Sequence, residues 1–258
     1  MNNSTNQYVP SIGLGTYNMS SEEAEKMTYE AIKYGYRHID TAAVYKNEDG
    51  VARALKRIFK ETQLRRDDVF ITTKLWPGGL IKLDRIRDYK DTLKSFEKSL
   101  MRLNLEYIDL YLIHSPHGKN KRIEQWKSLM KLKETEKVKY IGVSNWGINH
   151  INELKENDLP LPDANQIEIH PWSQKPELIK YLRNNNIDII AYSSLVPLSS
   201  WRHKVGENSK KTDEMYKLGE SDDSPFKLLA QKYKCTEAQF LLQLSLIHIS
   251  EPTRRRHI

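Results

Sequence analysis

Short β-rich runs alternate with amphipathic helical patterns along most of this chain, and that alternation limits the folds open to it. The runs are SIGLGTY (11–17), YRHIDTA (36–42), VFITTKL (69–75), YIDLYLIH (107–114), YIGVSNW (140–146), ANQIEIHP (164–171) and IDIIAYSSL (187–195). Helical patterns separate them, at 20–35, 47–64, about 82–104, 123–137, about 149–157 and 175–186. The first has Ser at its start, acidic residues in its first turn and Gly35 at its end, as helix start and stop signals require. Strands that alternate with helices imply a parallel sheet, either doubly wound or closed as a barrel. A doubly wound dinucleotide fold carries G-x-G-x-x-G directly after a strand. Here only Gly13-Leu14-Gly15 is present, so a (β/α)8 TIM barrel is expected. Seven strands are legible, one fewer than that barrel needs.

Size agrees with one barrel. The chain has 258 residues with 38% hydrophobic content, and α/β barrels need roughly 250. The formal net charge of +7 rests mostly on helix faces such as KLDRIRDYKDTLKSFEK (82–98), so a solvated surface is expected and no nucleic-acid or membrane partner. The one cysteine, Cys235, excludes an intrachain disulfide and fits a reducing compartment. The opening MNNSTNQYVP lacks the apolar core of a signal peptide, and a cytoplasmic location is expected. Residues 198–224 are polar with little periodicity and read as a long loop. PFKLLAQKYKC and TEAQFLLQLSL read as two helices.

Four residues in or just after these strands can do proton or charge chemistry: Asp40, Tyr45, Lys74 and His114. Alone, each has a plainer explanation: a cap, a packed aromatic, a snorkelling lysine, a core histidine. Together, at the C-terminal ends of three strands, they would converge on the face where barrel enzymes keep their sites. A tyrosine with a pKa of about 10 is a poor acid or base at neutral pH. A nearby ammonium favours the phenolate, and a carboxylate can hold that ammonium in place. Asp40, Lys74 and Tyr45 would form such a relay, with His114 orienting a carbonyl oxygen. That set suits hydride transfer coupled to proton donation.

The motifs IGLGTY, GYRHIDTAAVYKNE, FITTKLW, DLYLIH, IGVSNW, NQIEIHPW and AYSSL resemble those of the aldo-keto reductases, in that family's order. The resemblance runs from residue 12 to about 195 and, through the following helices, to about 243. It implies an NADPH-dependent enzyme that reduces aldehydes or ketones to alcohols and works as a monomer on a small carbonyl substrate. Tyr45 would donate the proton, Lys74 and Asp40 would tune it, and His114 would bind the carbonyl. Ser144, Asn145 and Gln166 would bond the nicotinamide carboxamide, and Tyr192 would stack on its ring. Ser193 and Leu195 would lie along the pyrophosphate, and Thr16 would approach the cofactor. Tyr17, Trp76 and Trp172 would line the pocket, more open at Ser115, where some relatives carry an aromatic. No metal is implied. Other readings of the same residues are a cofactor-binding regulatory subunit, a Schiff-base lyase using Lys74, and an inactive fragment.

The chain departs from the family pattern at both ends. NQYVP represents only part of the usual N-terminal hairpin. LSLIHISEPTRRRHI (244–258) stands where the eighth strand and the 2′-phosphate segment, which separates NADPH from NADH users, are expected. LSLIHISEPTR resembles translated sequencing adapter. Residues 1–243 are therefore expected to form an incomplete barrel, and 244–258 a non-native tail that extends the last helix or forms a poor strand.

Overall fold

The computed structural model describes residues 9–81, 84–198 and 210–250. Seven strands among them form one sheet: β1 (Leu14–Gly15), β2 (His38–Asp40), β3 (Phe70–Leu75), β4 (Ile108–Ile113), β5 (Val138–Ser144), β6 (Ala164–Glu168) and β7 (Asp188–Tyr192). Their spatial order equals their order in sequence, and every pair from β1 to β6 is parallel. A doubly wound sheet reverses direction at a switch point. This sheet never does, so the α/β barrel winding expected from the sequence is the one adopted. The chain divides into two compact units: Met1–Gln166 with Tyr181–Asp188, and Ile167–Lys180 with Ile189–Ile258.

Nine α-helices occur among the described residues: α1 (Ser21–Lys33), α2 (Glu48–Glu61), α3 (Tyr89–Leu103), α4 (Arg122–Glu134), α5 (Ile148–Glu156), α6 (Pro176–Asn184), α7 (Lys210–Glu220), α8 (Pro225–Lys232) and α9 (Glu237–Ser250). Local chemistry sets their ends. Ser20 caps α1 through a capping box: its side chain accepts from the Glu23 N–H at 3.1 Å, and the Glu23 carboxylate accepts from the Ser20 N–H at 2.7 Å. Asp88 caps α3 by accepting from the Asp91 N–H at 2.9 Å. The helix expected from about 82 therefore begins at Tyr89, because the Asp88 side chain takes up an N–H at the helix start.

Other differences also have local causes. The first strand shrinks to two residues. The 198–224 segment is not all loop: α7 occupies Lys210–Glu220. Its polar composition hides it, since its few apolar residues, Met215, Tyr216 and Leu218, stand in an otherwise polar run. The apolar LSLIHI continues α9 as far as Ser250. Residues 1–8, which include most of NQYVP, residues 199–209, which include most of SWRHKVGENSKK, and EPTRRRHI (251–258) lie outside the described residues. No described helix is long and apolar enough to cross a membrane.

The core of the first unit sits between strands and helices. All six residues of β4 are buried, as are Ile39, Ile71, Leu75, Val143, Phe96 and Trp126. Gly142 is required where β5 meets β6: a Cβ there would collide with the Ala164 carbonyl oxygen. That close fit aligns Ser144 with Gln166, the register on which the site depends.

Candidate active site

The strand ends bring Asp40, Tyr45, Lys74 and His114 together. Asp40 is the last residue of β2, Lys74 lies one residue from the end of β3, and His114 directly follows β4. Tyr45 closes a short 3-10 turn at 43–45, after which Lys46 takes a left-handed conformation (φ 57°). The Lys74 ammonium has no solvent exposure. It donates to Asp40 Oδ1, to the Thr41 carbonyl at 2.9 Å and to Tyr45 Oη at 3.4 Å. Its three N–H groups thus have three partners, which is how a buried ammonium avoids the cost of desolvation.

His114 Nε2 lies 3.5 Å from Tyr45 Oη, and its Nδ1 is buried without a hydrogen-bond partner. Burial, reinforced by the Lys74 charge, lowers the His114 pKa to about 3, so the ring is neutral. A neutral imidazole carries one N–H, and a buried N–H without an acceptor costs more than a bare ring nitrogen. The proton is therefore assigned to Nε2, facing Tyr45. Two donors, Lys74 and His114, address the phenol oxygen, and among the described residues no acceptor takes its proton.

The sequence led us to expect a lowered Tyr45 pKa. The structure corrects this: burial first, then the Asp40 charge, pushes it upward. Asp40 offsets the Lys74 charge, and desolvation opposes the phenolate. Tyr45 stands as a protonated phenol, a donor rather than a resting base.

The residues expected around this group separate into two sets. In the first unit, Ser144 Oγ donates to the Gln166 carbonyl at 2.9 Å. Asn145, in a left-handed turn (φ 62°), donates from its side chain to Ser144 Oγ at 3.1 Å and to the His114 carbonyl at 3.2 Å. Gln166 Nε2 donates to Asp40 Oδ2 at 2.7 Å, a link that sequence reasoning missed. Tyr17 meets the Tyr45 ring edge-on at 5.1 Å and is 54% exposed, and Trp76 meets His114 edge-on at 5.8 Å. Asp84 holds that indole by accepting from Nε1 at 2.8 Å. Thr16, expected near the cofactor, is fully buried, with Oγ1 3.3 Å from both the Asp40 carbonyl and Asn47 Oδ1. Asn47 also went unnoticed in the sequence. It is buried and donates to the Thr16 and Met19 carbonyls at 2.8 and 3.0 Å, tying down the segment that carries Tyr17. The one signal for it was its place in VYKNE, two residues after Tyr45.

Trp172, Tyr192, Ser193 and Leu195 belong to the second unit. There Trp172 packs edge-on to Phe226 at 5.3 Å, and Ser193 adopts a left-handed turn (φ 58°) whose carbonyl accepts from the Val196 N–H at 3.0 Å. Leu195 is 38% exposed. No cluster that could hold a metal occurs among the described residues.

The model of the aldo/keto reductase family matches residues 11–246. The chain belongs to that family. It is 42% identical over 189 residues to the glyoxal reductase of Bacillus subtilis, an alignment covering 73% of this chain and 64% of that protein. It is 40% identical over 211 residues to the 9,11-endoperoxide prostaglandin H2 reductase of Trypanosoma cruzi, covering 79% and 69%. The chain thus spans less than two thirds of the length of the first of these relatives. Among solved structures, an aldo/keto reductase from Brucella melitensis matches with a TM-score of 0.76 at 35% identity, covering 93% of this chain and 81% of that one. A Bombyx mori aldo-keto reductase in complex with NADP matches with a TM-score of 0.79 at 29% identity, covering 93% and 77%. This family member therefore shares the fold of its solved relatives.

Proposed function

We propose that this aldo/keto reductase reduces small aldehydes or ketones to alcohols with NADPH, and that Tyr45 gives the proton to the nascent alkoxide. One observation carries the reading: the part-buried Tyr45 hydroxyl keeps its proton and, among the described residues, gives it to no acceptor. A carbonyl oxygen placed at Tyr45 Oη would accept from the phenol and from the neutral His114 N–H. Oxygen thereby gains two donors as negative charge develops, the condition for stabilising it. Asp40 holds Lys74, and Lys74 orients the phenol. Tyr17 and Trp76 supply the apolar walls that ligand pockets need.

NADPH supplies the hydride when bound. Ser144, Asn145 and Gln166 are assigned to its nicotinamide end; with one Gln166 N–H given to Asp40, the second N–H and the amide oxygen of Gln166 suit a carboxamide. Within the second unit, the family resemblance assigns Tyr192 to the nicotinamide ring, Ser193 and Leu195 to the phosphates and Trp172 to a substrate wall. The Bombyx relative's complex with NADP and the name of the Bacillus glyoxal reductase favour NADPH and a small carbonyl substrate.

The test is NADPH consumption with methylglyoxal and with a substituted benzaldehyde, run beside NADH. Turnover with NADPH and recovery of the matching alcohol are expected. Tight cofactor binding without turnover would favour the regulatory-subunit reading instead. A Schiff-base role for Lys74 is disfavoured, because its ammonium is fully buried and triply bonded. A borohydride-trapped substrate adduct on Lys74 would reverse that conclusion.

A further inference from the structure

We propose that Gln166 is a positioning residue for the proton-donating group: its amide pins Asp40 and thereby holds Lys74 against Tyr45. The proposal rests on the carbonyl-reduction reading and goes beyond a contact between Gln166 and a cofactor.

The carboxylate of Asp40 has two oxygens and two side-chain donors. Oδ1 takes the Lys74 ammonium, and Oδ2 takes Gln166 Nε2 at 2.7 Å. Gln166 is only 5% exposed, so water is a poor substitute for that second donor. With one donor gone, the carboxylate can rotate about its Cβ–Cγ bond, and the ammonium that follows it lies 3.4 Å from the phenol. The Gln166 backbone is held just as firmly. Its carbonyl accepts from the Asn145 N–H and from Ser144 Oγ, both at 2.9 Å. Asn145 in turn donates to the His114 carbonyl at 3.2 Å. Hydrogen bonds thus run in a closed ring: Gln166 to Asp40, Lys74, Tyr45, His114, Asn145 and back to Gln166. Without Gln166 the ring opens at the carboxylate.

The direction of the effect follows from charge. The groups facing Tyr45 are Asp40 from β2, Lys74 from β3, His114 after β4 and Tyr17 after β1. His114 is neutral, so Asp40 and Lys74 supply the charges. Gln166 disperses the Asp40 charge through its donated bond. Its removal concentrates that charge and disfavours the phenolate. Alcohol oxidation requires Tyr45 to take a proton, so its pH limb should move to higher pH.

The experiment uses Gln166→Met, which is close to isosteric, and Gln166→Glu. Rates of carbonyl reduction and alcohol oxidation are measured against pH at saturating NADPH or NADP+, with kcat separated from KM. For Gln166→Met, kcat should fall about tenfold and the oxidation limb should rise by about half a unit or more. Gln166→Glu should approach wild-type kcat only at acidic pH, where its carboxyl is protonated and can donate to Asp40. A second arm needs no cofactor: a thermal double-mutant cycle of Gln166→Met with Asp40→Asn. Non-additive melts are expected for groups in direct contact. The proposal is overturned if Gln166→Met raises only the KM for NADPH while kcat and the pH limb stay put, or if the melts are additive. Absence of carbonyl turnover in the wild type would remove the function reading. The melt cycle alone would then decide whether Gln166 positions Asp40.

Discussion

Two sites in the first unit use the same three residue types to opposite ends. At the C-terminal rim of the strands stand Tyr45, Lys74 and Asp40. Near the strand starts stand Tyr107, Lys139 and Asp109, with Lys139 3.2 Å from both the Tyr107 hydroxyl and Asp109 Oδ1. The difference lies in where the phenol proton goes and how wet the ammonium is. Tyr107 gives its proton to Asp67 at 2.5 Å, and Lys139 is 44% exposed. Asp109 is spent on Arg66 at 2.6 Å and on the Ile71 N–H at 2.9 Å. Tyr45 is approached only by donors, Lys74 is dry, and a neutral histidine faces the same oxygen. Residue types alone do not make a proton donor. An uncommitted hydroxyl beside a sealed ion pair does.

The largest expected effect would break the comparison outright. Tyr45→Phe should lower carbonyl reduction by about 10²–10⁴-fold, the usual worth of a positioned acid. Tyr107→Phe should leave turnover within about twofold, as it loses a hydroxyl outside the site. Steady-state kinetics on both variants decide the matter, and equal losses would end the distinction. Next in size is the ammonium. Lys74→Met strands a largely buried carboxylate and should cost about 3–5 kcal/mol in urea unfolding. Lys139→Met should cost less, about 1 kcal/mol, because Lys139 is 44% exposed and the buried Asp109 keeps Arg66 and the Ile71 N–H.

Acid should add a separate loss, because two buried neutral histidines lie in this unit, His114 at the strand-end site and His38 at the start of β2. Burial lowers His38, whose Nε2 lies 2.9 Å from Thr72 Oγ1, to about 4, and His114 to about 3. Both native-state values lie below the unfolded one, so the unfolded chain binds protons first as pH falls. Stability is then full above about pH 6.5 and declines below it, His38 alone contributing a loss of roughly 3 kcal/mol by pH 4. Urea midpoints across that window should slope downward, and less steeply in His38→Gln. A similarly small effect belongs to Tyr107→Phe in unfolding, where losing the exposed bond to Asp67 should cost about 0.5–1.5 kcal/mol.

Strand ends were the legible part of this molecule. Asp40, Lys74 and His114 could be placed because each terminates an apolar run, and Tyr45 because it follows one closely. The alternation of elements gave the barrel winding for the same reason. Other features depend on distance or desolvation, which a sequence does not display. Gln166 and Asp40 are 126 residues apart, and their bond exists only because β6 arrives in register. The raised Tyr45 pKa reflects burial, whereas the sequence offered only charges to reason from. Helix α7 lay hidden because few of its residues are apolar. Tyr107, Lys139 and Asp109 were as visible as their counterparts, yet nothing local says that Asp67 holds the Tyr107 proton.

Strand order in the sheet equals order in sequence, and this bears on how the protein is made. A ribosome releases the chain from its N-terminus, and structure can form as the chain emerges. Each of β2 to β6 can pair with the strand made just before it, so loop closures stay short while synthesis proceeds. Asp40, Tyr45, Lys74 and His114 have all been synthesised by residue 114, well before Gln166. The proton-donating group can therefore gather on a nascent chain that still lacks its outer clamp. Arrival of β6 then supplies the bond from Gln166 to Asp40, so the proton-donating group receives its clamp from a residue made 126 positions after the carboxylate it holds.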